Sequence, residues 1–198
     1  MFKLISFLFH PFSFLLLGTF ILFNTHTYIN FSYSNELKLL VYAVIFLNTM
    51  LLPVLISWYW SKKGRISSIL MEQIADRKKI YLITFGFYLA TLFVLSSFGV
   101  PVVIYKYALG AGLTVGALFI LAMLNKKLSA HLSAIGGLCG ALVMLSFRLQ
   151  TDLLTLIAVF VILAGIIATA RIQVKAHNES EVYLGFLLGF FTQVFIFS

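Results

Sequence analysis

The sequence predicts an all-α integral membrane protein, a helical bundle of about six to seven transmembrane helices. Three observations carry this. The chain has 198 residues of which 62% are hydrophobic, only 10% are charged, and its mean hydropathy is +1.06. Soluble domains carry about 25% charged residues. A span takes roughly 20 apolar residues, which leaves room for six or seven spans and no separate soluble catalytic domain. Residues 1–198 therefore read as a single membrane domain.

The first apolar run, about 5–23, is followed by Asn24-Thr25-His26-Thr27 rather than a small-residue cleavage pattern, and so reads as a span instead of a signal peptide. The second, about 38–60, contains Asn48, Thr49 and Pro53. These two form an N-terminal part, residues 1–60. The third and fourth, about 79–98 and 102–124, are joined by the tight turn Gly99-Val100-Pro101. Asn125-Lys126-Lys127 leads to the fifth, about 128–147, and Arg148 to Asp152 to the sixth, about 153–171. The seventh covers about 182–198. Such short connections make neighbouring spans antiparallel. Only residues 24–36 and 61–78 form longer connections. In the latter, Ile66, Ile69, Leu70 and Ile74 recur at helical spacing between Ser67, Gln73 and Asp76, which predicts a short helix lying in the interface.

Fourteen Lys and Arg against six Asp and Glu give a net charge of +8. Threading the chain back and forth puts Lys3, Lys62, Lys63, Arg65, Arg77, Lys78, Lys79, Lys126, Lys127, Arg171 and Lys175 on one side, and Lys38, Lys106 and Arg148 on the other. By the positive-inside rule the first side is cytoplasmic, and the expected location is a bacterial cytoplasmic (inner) membrane. The cations are scattered over short loops, so membrane lipids, and not nucleic acid, are the expected partners. A single cysteine, Cys139, excludes an intramolecular disulfide and a cysteine metal cluster. Gly112 with Gly116, Gly136 with Gly140, and Gly185 with Gly189 recur at the spacing that lets helix backbones approach in lipid.

Ionisable groups at helix ends on the lysine-rich face are the candidates for chemistry, because burying such groups is costly unless they are paired or used. They are Arg77-Lys78-Lys79 ahead of the third span, Lys127, Ser129 and His131 at the start of the fifth, Arg171 after the sixth, and His177 and Glu181 before the seventh. Cations together with the N-terminal amides of the fifth helix suit a phosphate, and Ser129 adds a hydroxyl donor. Two histidines from different helices suit phosphoryl transfer, one attacking phosphorus and the other protonating the departing oxygen. Glu181, one helical turn from His177, is placed to accept from its ring N–H and fix the tautomer. No metal or other cofactor is called for.

The order and spacing of these residues resemble the type 2 phosphatidic acid phosphatase superfamily of integral-membrane lipid phosphatases. Its third motif reads Ser-Arg, five residues, His, three residues, Asp; here Ala170-Arg171 is followed at the same spacing by His177 and Glu181. The second, Pro-Ser-Gly-His, corresponds to Leu128-Ser129-Ala130-His131, with Ser and His kept. Of the first, Lys, six residues, Arg-Pro, only the cationic end remains, in Asp76-Arg77-Lys78-Lys79. The resemblance covers about residues 72–198 and implies a lipid-phosphatase-like core. It implies His177 as nucleophile, Glu181 as its orienting carboxylate, His131 as general acid, and Arg171, Arg77 and Ser129 as phosphate ligands, supplemented by Lys78, Lys79 and Lys127. The implied substrate is a phosphorylated lipid. A catalytically inactive relative that binds lipid headgroups or serves as a scaffold is the alternative. His10 and His26 have no partners at informative spacing and stay unassigned.

Overall fold

The computed structural model describes residues 2, 6, 8–25, 28–67 and 73–198. Among them every regular element is a helix. In chain order these are α1 (Ser13–Asn24), α2 (Tyr28–Ser32), α3 (Asn35–Ile45), a π-helical turn (Phe46–Leu51), α4 (Leu52–Lys62), α5 (Ile74–Ser97), α6 (Val102–Met123), α7 (Ala130–Leu149), α8 (Leu154–Gln173) and α9 (Glu179–Phe197). Because α3, the π turn and α4 run on as one helix, six helices are long and apolar enough to cross a membrane. The chain is an all-helical integral membrane protein.

The first expected span differs. Its described helix, α1, has 12 residues, which at 1.5 Å each reach about 18 Å, short of a hydrocarbon core of roughly 30 Å. His10-Pro11 is the reason: proline biases the residue before it away from helical geometry. The chain instead turns there, with the Ser13 amide and hydroxyl both donating to the His10 carbonyl, at 3.0 and 2.7 Å. Asn24, at the far end of α1, donates to the Tyr42 hydroxyl at 3.4 Å.

Pro53 explains the π turn. It has no N–H to give the carbonyl of Thr49 four residues back, and the local widening to i→i+5 bonds, such as the Leu52 amide to the Leu47 carbonyl, accommodates that missing donor.

The expected interfacial helix does not form where it is described. Residues 63–67 are turns and bends, Ile69 and Leu70 lie outside the described residues, and Ile74 is the first residue of α5. Asp76 accepts from the amide and hydroxyl of Ser67, at 2.9 and 2.5 Å, tying this loop to α5.

Two helix pairs dominate the packing, α7 with α9 and α5 with α6. In α7 and α9 the glycines meet backbone directly. A Cβ on Gly136 or Gly140 would overlap the carbonyls of Phe186 and Phe190, one on Gly189 the carbonyl of Ser133, and one on Gly185 would lie 2.8 Å from the carbonyl of Ser129. That close approach places the N-terminal ends of α7 and α9 side by side. The Ser129 amide then donates to the Glu181 carbonyl at 3.1 Å. The core holds Phe14, Phe23, Ile45, Leu95, Ile104, Ile135, Leu138 and Leu142, while Phe93, Ile120, Ile162 and Phe195 point outward, as lipid-facing surface does.

Candidate functional site

A Schellman turn ends α8. The Lys175 amide donates to the Ile172 carbonyl at 2.9 Å and the Ala176 amide to the Arg171 carbonyl at 3.1 Å, the two bonds of that motif. Lys175 takes the left-handed position, with φ 54°. The turn reverses the chain so that Arg171, from the last turn of α8, and His177, just before α9, face one space. Asn178 then caps α9, its side chain accepting from the Glu181 amide at 2.8 Å.

Glu181 sits at the third helical position, where a capping-box carboxylate turns back toward the cap. Here it reaches one residue further. The His177 Nδ1–H donates to Glu181 Oε2 at 2.6 Å. The pair spans a helix start instead of lying along a helix face. A carboxylate only accepts, so Nδ1 carries the proton and Nε2 keeps its lone pair. Arg77 Nη2 donates toward that lone pair at 3.4 Å. Arg77 also donates through Nη1 to the Leu128 carbonyl at 3.2 Å and the Tyr81 hydroxyl at 3.4 Å, bridging α5 to the start of α7. Burial first, then the charges of Arg77, Arg171 and Lys127, lower the His177 pKa from 6.5 to about 2. The ring is neutral at physiological pH, as a nitrogen nucleophile requires.

These groups form the mouth of a cavity of about 470 Å³, lined there by Arg77, Lys127, His131, Arg171, Lys175 and His177. Arg171 is 8% exposed, and its Nε has no partner among the described residues. The His131 Nε2–H donates to the Ser6 carbonyl at 3.1 Å, since a carbonyl can only accept. His10 stacks edge-on against His131, ring centroids 5.8 Å apart. No three of the described His, Cys, Asp and Glu side chains group as metal ligands.

Comparison with protein-family models, curated proteins and solved structures finds no match to this chain.

Of the residues the sequence singled out, the fold brings Arg77, Lys127, His131, Arg171 and His177 to one cavity, with Glu181 behind His177. Three lie elsewhere. Ser129 is fully buried under α9 and does not line the cavity; its hydroxyl has no partner among the described residues. Lys78 donates to Asn125 at 3.0 Å and Lys79 to the Arg65 carbonyl at 2.6 Å, both away from the cavity. On a helix 100° per residue turns them off the Arg77 face. Sequence reasoning missed Lys175, His10, Tyr81 and Ser6, which line the cavity. For Tyr81 there was a signal, the i, i+4 spacing from Arg77. His10 had none, because only folding brings α1 beside α7. His26 lies outside the described residues.

Proposed function

We propose that the protein is a membrane phosphatase that hydrolyses a lipid phosphomonoester or diphosphate through a phosphohistidine, as a divergent relative of the type 2 phosphatidic acid phosphatases. The observation that carries this reading is His177 itself. Its Nδ1 proton is committed to Glu181, and its Nε2 lone pair faces a cavity mouth that also holds Arg77, Arg171 and His131.

In the first step Nε2 of His177 attacks phosphorus, the P–O bond to the lipid breaks, and His131, which takes up a second proton as the anionic phosphate binds, gives that proton to the departing oxygen. In the second, water attacks the phosphohistidine while neutral His131 takes a proton, the P–N bond breaks, and orthophosphate leaves. Glu181 stabilises the charge that develops on the His177 ring. Arg77 and Arg171 neutralise the equatorial oxygens, which is the main service a protein gives such a transition state. At His131 the Ser6 carbonyl occupies the hydrogen-bonding place that the departing oxygen takes over in this scheme. The cation-rich end, carrying Lys62, Lys63, Arg65 and the site, is assigned to the cytoplasmic face of a bacterial inner membrane by charge bias.

The test is phosphate release in mixed micelles over a panel of phosphorylated lipids, comparing wild type with His177→Ala and His131→Ala. Release abolished in both folded variants supports the reading. The second reading, a non-catalytic binder of phosphorylated lipid, draws on the position of Ser129 away from the cavity. It is favoured if no lipid is hydrolysed above the His177→Ala background and no phosphorylated His177 can be trapped.

A further inference from the structure

The cavity does not stop at the charged mouth. From Arg77 to Tyr88 along α5 its lining descends by about 16 Å at 1.5 Å per residue, and Gln193 of α9 lines its lower part. The walls on the way down are apolar, with Leu15, Ile80, Val115 and Leu118 among them. The lower part turns polar again.

There Gln193, 1% exposed, donates through Nε2 to the Tyr107 carbonyl at 2.9 Å. A carbonyl takes only a donor, so this bond fixes the amide orientation and leaves Oε1 as an acceptor. That oxygen has no partner among the described residues. Tyr107 in turn donates its hydroxyl to the Phe14 carbonyl at 2.9 Å. Two glycines make room for this arrangement: a Cβ on Gly110 would lie 2.6 Å from the Gln193 amide, and one on Gly18 would overlap the Tyr107 ring.

Thr84, also lining the cavity and 1% exposed, has a hydroxyl without a partner among the described residues. This sets it apart. The other buried threonines, Thr19, Thr49, Thr91 and Thr114, each donate to the carbonyl four residues back at 2.8 Å. A buried acceptor and a buried hydroxyl left open cost free energy unless something binds them.

We propose that the lower cavity is a second recognition site, in which the Gln193 side-chain carbonyl and the Thr84 hydroxyl bind a hydroxyl group carried on the tail of the amphiphile whose phosphate occupies the mouth. The proposal rests on the phosphate reading of the mouth and narrows the ligand to a phosphorylated amphiphile with a hydroxylated tail. The alternation along the cavity matches such a molecule: anion at the cations, hydrocarbon at the apolar walls, donor at Gln193.

The experiment uses the full chain in nanodiscs with two probes, dodecyl phosphate and ω-hydroxydodecyl phosphate. Affinity is read by ligand-induced thermal shift, and phosphate release is measured separately. Wild type is expected to bind the hydroxylated probe about tenfold more tightly, the scale of one buried hydrogen bond. Thr84→Val and Gln193→Met are each expected to reduce that ratio to about twofold or less. Thr84→Val keeps the side-chain shape and removes only an open hydroxyl, so it is the variant that folds in either case. Equal binding of both probes by wild type, an unchanged ratio in Thr84→Val, or no binding of either probe overturns the proposal. Discrimination without phosphate release upholds this site and overturns the phosphatase reading; release without discrimination does the reverse.

Discussion

At the scale of single residues, the proposed chemistry depends on which nitrogen of His177 holds the proton, and Glu181 decides it. A glutamine at 181 can donate from its amide to Nδ1, moving the ring proton to Nε2 and blocking attack on phosphorus. Glu181→Gln is therefore expected to lower kcat by about 10²- to 10⁴-fold with little change in KM, the pattern of lost orientation and not of lost binding. Steady-state kinetics on a hydrolysed lipid phosphate checks this, and a matching rise in KM would count against it. The same histidine links pH to stability. Its pKa falls from 6.5 to about 2 on folding, chiefly through burial and then through Arg77 and Arg171, so below pH 6.5 the unfolded chain binds the proton that the folded chain refuses. The contribution of His177 is fully present above pH 6.5 and is lost progressively as pH falls toward 2. Denaturation measured between neutral and acid pH is expected to show a shallower acid loss in His177→Asn than in wild type.

At the scale of elements, the α7–α9 contact sets the relative position of the two histidines, because it is made by backbone with no side chain to yield. Gly189→Ala, which drives a methyl into the Ser133 carbonyl, is expected to destabilise by about 1–3 kcal/mol or more. Gly86 and Gly165 have open space around them, and alanine there is expected to stabilise by roughly 0.5–1 kcal/mol through helix propensity. Thermal unfolding of the three variants in one detergent separates packing from propensity. The elements themselves were legible where apolar runs end at Gly, Pro or Lys: expected 102–124 against Val102–Met123, and 153–171 against Leu154–Gln173. They were less legible at the start of α5. Asp76-Arg77-Lys78-Lys79 ends a hydropathy run but not a helix, since charged residues are good helix formers, and α5 begins at Ile74. Pro11 acted the other way, cutting an apolar run that hydropathy carries straight through.

At the scale of the whole molecule, antiparallel threading puts the cavity mouth, Lys63 and Lys126 at one end of the bundle, and Lys38 and Arg148 at the other. The orientation proposed from charge bias has the mouth facing the cytoplasm. Lys63 is exposed and the native Cys139 is buried, so Lys63→Cys offers a clean site for membrane-impermeant maleimide. Labelling only after the membrane is opened is expected; labelling of intact spheroplasts would move the site to the outer face. The mouth was legible from sequence because its residues lie at helix ends with fixed spacing, as Arg171, His177 and Glu181 do. The lower cavity was not. A threonine and a glutamine inside apolar runs carry no sign of whether they bond within the helix or face a hollow, and Thr84 reads like Thr91 until the neighbouring helices are in place.

The Schellman turn carries a consequence for how far the protein can be stabilised. Its left-handed position, ordinarily a glycine, is held by Lys175 at φ 54°, a conformation that costs a residue with a side chain about 1 kcal/mol or more. Lys175→Gly is expected to raise the melting temperature and, by removing a cation from the mouth, to weaken the hold on an anion. Improvement of the fold and retention of charge pull in opposite directions at this one residue, so a screen for thermostability alone would select against the site.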